Sequence, residues 1–229
     1  MNHESLYKII GYTSSFLFIL TIYGIYDQII KIMQKIQTAI QPGEATQNLS
    51  INQFLCHFLG VYAFFIYGFL IEEFNPYLVW PRLIASFAVL LVLYLILIDR
   101  KNPTAFLTFF ICISLLVIGL YKLIFPNSSH SSAGIASAKI IIIFVTLINI
   151  QGYIHQILKL HKSKNSSALS LKMNILIFAK DLSSFILGAM MGYASGWPVM
   201  MQSFSNGFFR SYISILIVNY SKKPLAKAG

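Results

Sequence analysis

Two phrases of this sequence occur twice, in the same order. Trp80-Pro81 is followed five residues on by Ser86-Phe87, and Trp197-Pro198 is followed at the same interval by Ser203-Phe204. Upstream, Gly24, Gln28, Ile29 and Lys31 are matched by Gly152, Gln156, Ile157 and Lys159, and Leu49-Ser50 by Leu169-Ser170. One structural unit used twice constrains the fold more than any single motif, because each copy must bury its apolar face in the same way.

Composition states the solvent. The 229 residues are 57% hydrophobic and 10% charged, with a mean hydropathy of +0.71. Soluble domains carry about 25% charged residues, so this chain belongs in a bilayer. Seven apolar stretches, at 8–30, 53–71, 78–98, 104–125, 137–158, 173–194 and 197–219, are each long enough to cross a hydrocarbon core of about 30 Å. The first has no cleavage-site pattern and is expected to be retained.

The formal charge of +10 is distributed as a topology signal. With the first, third and fifth loops and the C-terminal tail on one side, that side holds Lys31, Lys35, Arg100, Lys101, Lys159, Lys162, Lys164, Lys172, Lys222, Lys223 and Lys227. The other side holds Lys8, Arg82, Lys122 and Lys139. The bias predicts an external N-terminus and a cytoplasmic C-terminus, with lipid rather than nucleic acid as the basic residues' partner. The Ile, Lys and Asn bias and the short loops point to an AT-rich bacterium and its inner membrane. Cys56 and Cys112 lie inside apolar stretches and read as small core residues.

Spans 1–3 and 5–7 form the two copies, leaving span 4 over. A three-helix unit starts and ends on opposite faces of the membrane, so one extra crossing is needed to set both copies the same way up. The expected organisation is a first three-helix repeat at 8–98, a linker helix and external loop at 99–136, a second repeat at 137–220 and a basic cytoplasmic tail at 221–229. The all-α fold is thus seven transmembrane helices in a 3+1+3 order, with an extended first loop expected at 36–50 and a flexible external link at 126–136.

A glycine, a glutamine four residues on, then a basic loop ending in Leu-Ser at the next helix resembles the PQ-loop superfamily. The second copy, Gln156 through Ser170, is the closer match. With the 3+1+3 layout, residues 10–220 resemble a SWEET-type sugar facilitator. The resemblance implies two parallel PQ-loop repeats, alternating access between them and a small polar solute, a sugar first, as cargo. Several positions depart from the pattern. Asp27 and His155 stand where the superfamily has proline. Ser86 and Ser203 stand where the pocket asparagine is usual, with Asn206 one turn beyond Ser203. The aromatic platform position is Phe64 in the first copy and Ser184 in the second. Cystinosin-like amino-acid exporters and the KDEL receptor share the architecture, so the resemblance leaves the cargo open.

Ionisable groups inside spans need a partner or a purpose, because each costs about 2.5–3.5 kcal/mol at a helix centre. Asp27, Lys180, Asp181 and Arg210 qualify. Counting from the span ends puts Asp181 about 13 Å deep and Arg210 at a similar depth, so the two could form an ion pair, structural or functional. Asp27 and His155 occupy equivalent positions and could titrate as a gate. Gln28 and Gln156 read as interhelical hydrogen-bonding groups. Spacing places Ser203, Asn206 and Arg210 on one face, Asp181, Ser184 and Gly188 on another, and His57, Gly60, Phe64 and Gly68 on a third. The substrate-binding set expected is Phe64, Ser86, Ser184, Ser203 and Asn206. The gating or coupling set is Asp27, Gln28, His155, Gln156, Asp181 and Arg210. The alternatives are a proton-coupled amino-acid exporter and a non-transporting membrane receptor or scaffold. No nucleophile-and-base arrangement, metal-ligand cluster or phosphate-binding glycine loop is present in the sequence, so neither an enzyme nor a cofactor is expected. A homo-oligomer is compatible with the chain.

Overall fold

A computed structural model of the chain describes residues 3–46, 49, 51–71, 74–125, 132–163 and 171–221. The repeat residues Ser50, Leu169 and Ser170, and all of the tail beyond Ser221, lie outside the described residues, as do the side chains of Asp27, His155 and Lys159.

The described residues form seven helices: α1 (His3–Thr38), α2 (Ile51–Leu70), α3 (Pro76–Arg100), α4 (Pro103–Ile124), α5 (Ser132–Ser163), α6 (Leu171–Met190) and α7 (Tyr193–Ser221). α1, α3, α4 and most of α5 are long and apolar enough to cross a membrane, and α2 carries a shorter apolar stretch at Phe54–Leu70. α1 and α5 run well past their apolar stretches at both ends. Residues 132–136, expected as loop, are the first turn of α5. Polar residues extend a helix readily once the intrahelical hydrogen-bond ladder exists, so helix ends outrun hydropathy.

Residues 19–145 form one compact unit, and residues 1–18 with 146–229 form another, the divisions falling within α1 and within α5. In the first unit α2 packs on α3, and α4 on both. Their core is Phe58, Phe65, Val79, Val89, Leu93, Cys112 and Leu116. The C-terminal half of α1 adds Ile29 and Ile32 against Val92, Ile96 and Ala105. Asn75 and Asn102 cap α3 and α4, each side chain accepting a backbone N–H three residues on, and each is followed by proline at the first helical position. In the second unit α6 packs on α7, and Leu160 of α5 joins Ile213, Leu216 and Ile217 of α7.

The two units share one local device. On α2, a Cβ placed on Gly68 would stand 2.8 Å from Leu78 Cβ and 2.9 Å from Val79 Cγ2. On α6, a Cβ on Gly188 would stand 3.0 Å from the Gly196 carbonyl. Val79 and Gly196 each immediately precede a repeated tryptophan. Each copy's second helix therefore crosses the start of its third helix at glycine distance.

The described part of the connection between α1 and α2 is held against the end of α3. Asp99, buried at the end of α3, accepts from Gly43 N–H (3.2 Å), Thr46 N–H (2.9 Å) and the Thr46 hydroxyl (2.7 Å). Arg100 donates to the Thr46 hydroxyl (3.0 Å), the Thr46 carbonyl and the Leu49 carbonyl (2.6 Å).

Candidate functional site

The polar residues of the second unit gather where α6 meets α7. Asn174 of α6 accepts from Arg210 of α7 at 3.3 Å. Phe178 and Asp181 face Gly207, whose absent Cβ would stand 3.7 Å from the Phe178 ring and 3.9 Å from Asp181 Cβ. Gly188 meets Gly196 and Met200. This antiparallel register carries Ser203, Gly207 and Arg210 along one face of α7, with Asp181 lodged against the glycine.

The ion pair expected between Asp181 and Arg210 is not formed. Asp181 is opposite Gly207, whereas Arg210 lies three residues, close to one turn, farther along. Depth counted from apolar boundaries missed this offset because it ignores helix ends and tilt. Asp181, 1% exposed, instead pairs with Lys180 beside it in sequence. Lys180 reaches across the Phe18 ring of α1, its nitrogen 5.6 Å from the centroid. Neither Asp181 oxygen accepts a hydrogen bond, and the buried Arg210 Nε donates none. Arg210 lies over the Tyr153 ring, 5.4 Å from its centroid, a cation–π contact.

Tyr153 organises this cluster, and sequence reading overlooked it. Its ring stacks on Phe209 at 5.7 Å with a 16° interplanar angle, and its hydroxyl donates to Asn206 at 3.3 Å. Its one signal was a tyrosine immediately after the repeated Gly152. The expected substrate-binding residues of this unit are placed as follows. Ser184 is buried and shares a 3.2 Å hydrogen bond with Ser14 of α1. Ser203 is buried on the α7 face. Asn206 is half-buried and held by Tyr153.

In the first unit, buried Phe64 receives the Arg82 guanidinium at 5.9 Å, and Arg82 donates to the Tyr77 carbonyl at 2.8 Å. Ser86, fully buried, donates to the Arg82 carbonyl at 2.8 Å. Arg82 thus stands beside both expected binding residues, although its charge was read only as a topology signal. Gln28 borders a shallow surface depression with Lys31, Gln34, Lys35 and Thr38. Gln156 is half-buried on α5. Asp27 and His155 belong to α1 and α5, and their side chains are outside the described residues. Within each unit a hydroxyl or amide group thus stands near an aromatic ring: Ser86 bonds to the Arg82 that lies over Phe64, and Asn206 bonds to Tyr153.

No family model matches the sequence, and no curated protein matches it. A structural match exists to a eukaryotic SWEET transporter, with a TM-score of 0.71 at 11% identity, covering 95% of this chain and 100% of that one. At that identity the likeness speaks for the backbone path alone. The protein is an all-α membrane protein with the fold of a SWEET transporter.

Proposed function

We propose that the protein is a membrane facilitator for a small polar solute, a sugar in the first instance, working by alternating access between its two three-helix repeats. The likeness of fold over nearly the whole chain to a SWEET transporter is the observation that carries this reading. The uncharged hydroxyl and amide groups at Ser86, Ser184, Ser203 and Asn206, with Phe64 as the ring, suit a solute that both donates and accepts hydrogen bonds. Rocking of one repeat against the other needs no energy input when the solute runs down its gradient.

A second reading is favoured by one observation. A carboxylate 1% exposed on α6, paired with the adjacent Lys180 and with neither oxygen accepting any other hydrogen bond, suits coupling to a proton or recognition of an amino acid's ammonium group. On that reading Asp181, with Asp27 and His155, would couple proton movement to amino-acid export.

Solute flux in proteoliposomes, with and without an imposed pH gradient, separates the readings. Sugar flux indifferent to the gradient, and weakened by Ser203→Ala and Asn206→Ala, supports the facilitator. Gradient-dependent amino-acid flux abolished by Asp181→Asn supports the exporter. Absence of flux for sugars and amino acids alike would sink both and leave a receptor or scaffold on the same fold.

A further inference from the structure

The charges of the α6–α7 cluster do not balance. Lys180 neutralises Asp181, but Arg210, in the body of α7, has no ion pair among the described residues. The groups that meet its guanidinium are neutral. Nη1 donates to the Asn174 amide oxygen at 3.3 Å, and the Tyr153 ring lies alongside with its centroid at 5.4 Å. One positive charge is therefore left over. A charge drawn out of water is costly until an opposite charge meets it.

The guanidinium is also held ready for an anion. Arginine grips a carboxylate through two parallel N–H groups, and the edge formed by Nε and Nη2 is one that fits. Nε of Arg210 is buried and donates to nothing. Asn174 takes Nη1, outside that edge, and the Tyr153 ring fixes the plane, so little freedom remains to be lost on binding. Groups suited to hydroxyls stand along the same helix. Asn206, about one turn from Arg210, is held through its oxygen by the Tyr153 hydroxyl, and its NH2 group makes no further bond among the described residues. Ser203, buried, lies about one turn beyond.

We propose that the solute is a sugar acid, a polyhydroxylated carboxylate of the uronate type, with Arg210 as its carboxylate anchor and Asn206 and Ser203 taking its hydroxyls. The inference rests on the facilitator reading above and on its alternating access, because Nε is closed to solvent in this conformation. Charge selects the class. A phosphorylated sugar brings close to two negative charges against one cation. An amino acid brings an ammonium group, and Asp181 already has Lys180 as its cation. A single carboxylate on a neutral polyol matches one unpaired guanidinium beside neutral hydrogen-bonding groups.

Flux of labelled D-glucuronate and D-glucose into proteoliposomes holding the full chain tests this, since the two share a ring and differ by the carboxylate. The wild type should carry glucuronate about tenfold faster, or more, at equal low concentration. Arg210→Gln should erase that preference. Arg210→Lys, which keeps the charge and loses the paired donors, should raise the KM for glucuronate with little change in the maximal rate. Should Arg210→Gln fail to fold, thermal unfolding of the wild type in detergent decides. Glucuronate should raise the unfolding temperature more than glucose does at the same concentration, and equal shifts would overturn the assignment. So would glucose carried as fast as glucuronate, or a preference undiminished in Arg210→Gln or Arg210→Lys, and each of these flux results would leave the sugar facilitator standing. Failure of both sugars to cross would instead sink the facilitator reading and this inference together.

Discussion

Asp181 and Lys180 show what a buried charge does in this chain. The carboxylate is shut away from solvent, and its ion pair comes from the adjacent residue rather than from the arginine that sequence arithmetic suggested. Removing one partner of a buried pair leaves an uncompensated charge, which costs about 3–5 kcal/mol, whereas removing both is close to neutral. Lys180→Met should therefore lower the thermal unfolding temperature in detergent markedly, and Lys180→Met/Asp181→Leu should recover most of the loss. A double variant as unstable as the single one would show that Arg210, not Lys180, balances Asp181. Asp99 makes a different prediction, because it accepts from two backbone N–H groups and a hydroxyl at once. Asp99→Ala should cost about 2–4 kcal/mol through the stranded donors, with hydrogen exchange rising first at residues 43–46. Unchanged protection there would refute the clamp.

At the level of helices, glycine has opposite meanings at different positions. Gly196 presses on the Gly188 backbone and Gly68 on Leu78 and Val79, so a methyl group has nowhere to go. Gly68→Ala and Gly196→Ala should each destabilise by about 1–3 kcal/mol through forced helix separation. Gly152→Ala, with space around it, should be neutral or stabilise the isolated monomer by up to about 1 kcal/mol, because alanine is the better helix former. Equal unfolding temperatures for the three variants would rule out the close crossings. Gly152 lies on an exposed face of α5, where no neighbour within the described chain approaches it.

For the whole molecule, the repeat is imperfect where it faces the loops. Counted from the paired tryptophans, the positions of Asp99 and Arg100 in the first copy are Leu216 and Ile217 in the second. One copy holds its first connection with hydrogen bonds to buried charges, and the other sets leucine and isoleucine of α7 against Leu160 and Leu171. Hydrogen bonding is directional and apolar contact is not, so the two copies hold these positions by different forces. The basic residues make a prediction of their own. Eleven lysines and arginines on one side against four on the other should hold the C-terminus in the cytoplasm. A reporter fused after Gly229 should be active there, and an externally active fusion would reverse the assignment.

The sequence alone carried the membrane solvent and the helix count, because each depends on quantities summed over many residues, namely apolar length and charge distribution. It also placed Ser184 within the sixth helix and Ser203 and Asn206 within the seventh, since position along one helix survives any tertiary arrangement. Pairing across helices was not legible. Which residue neutralises Asp181, which ring lies under Arg210 and which loop Asp99 holds all depend on the rotation and axial register of one helix against another. Those are set by glycine contacts and side-chain packing between segments distant in sequence, and an error of a single turn exchanges one partner for another.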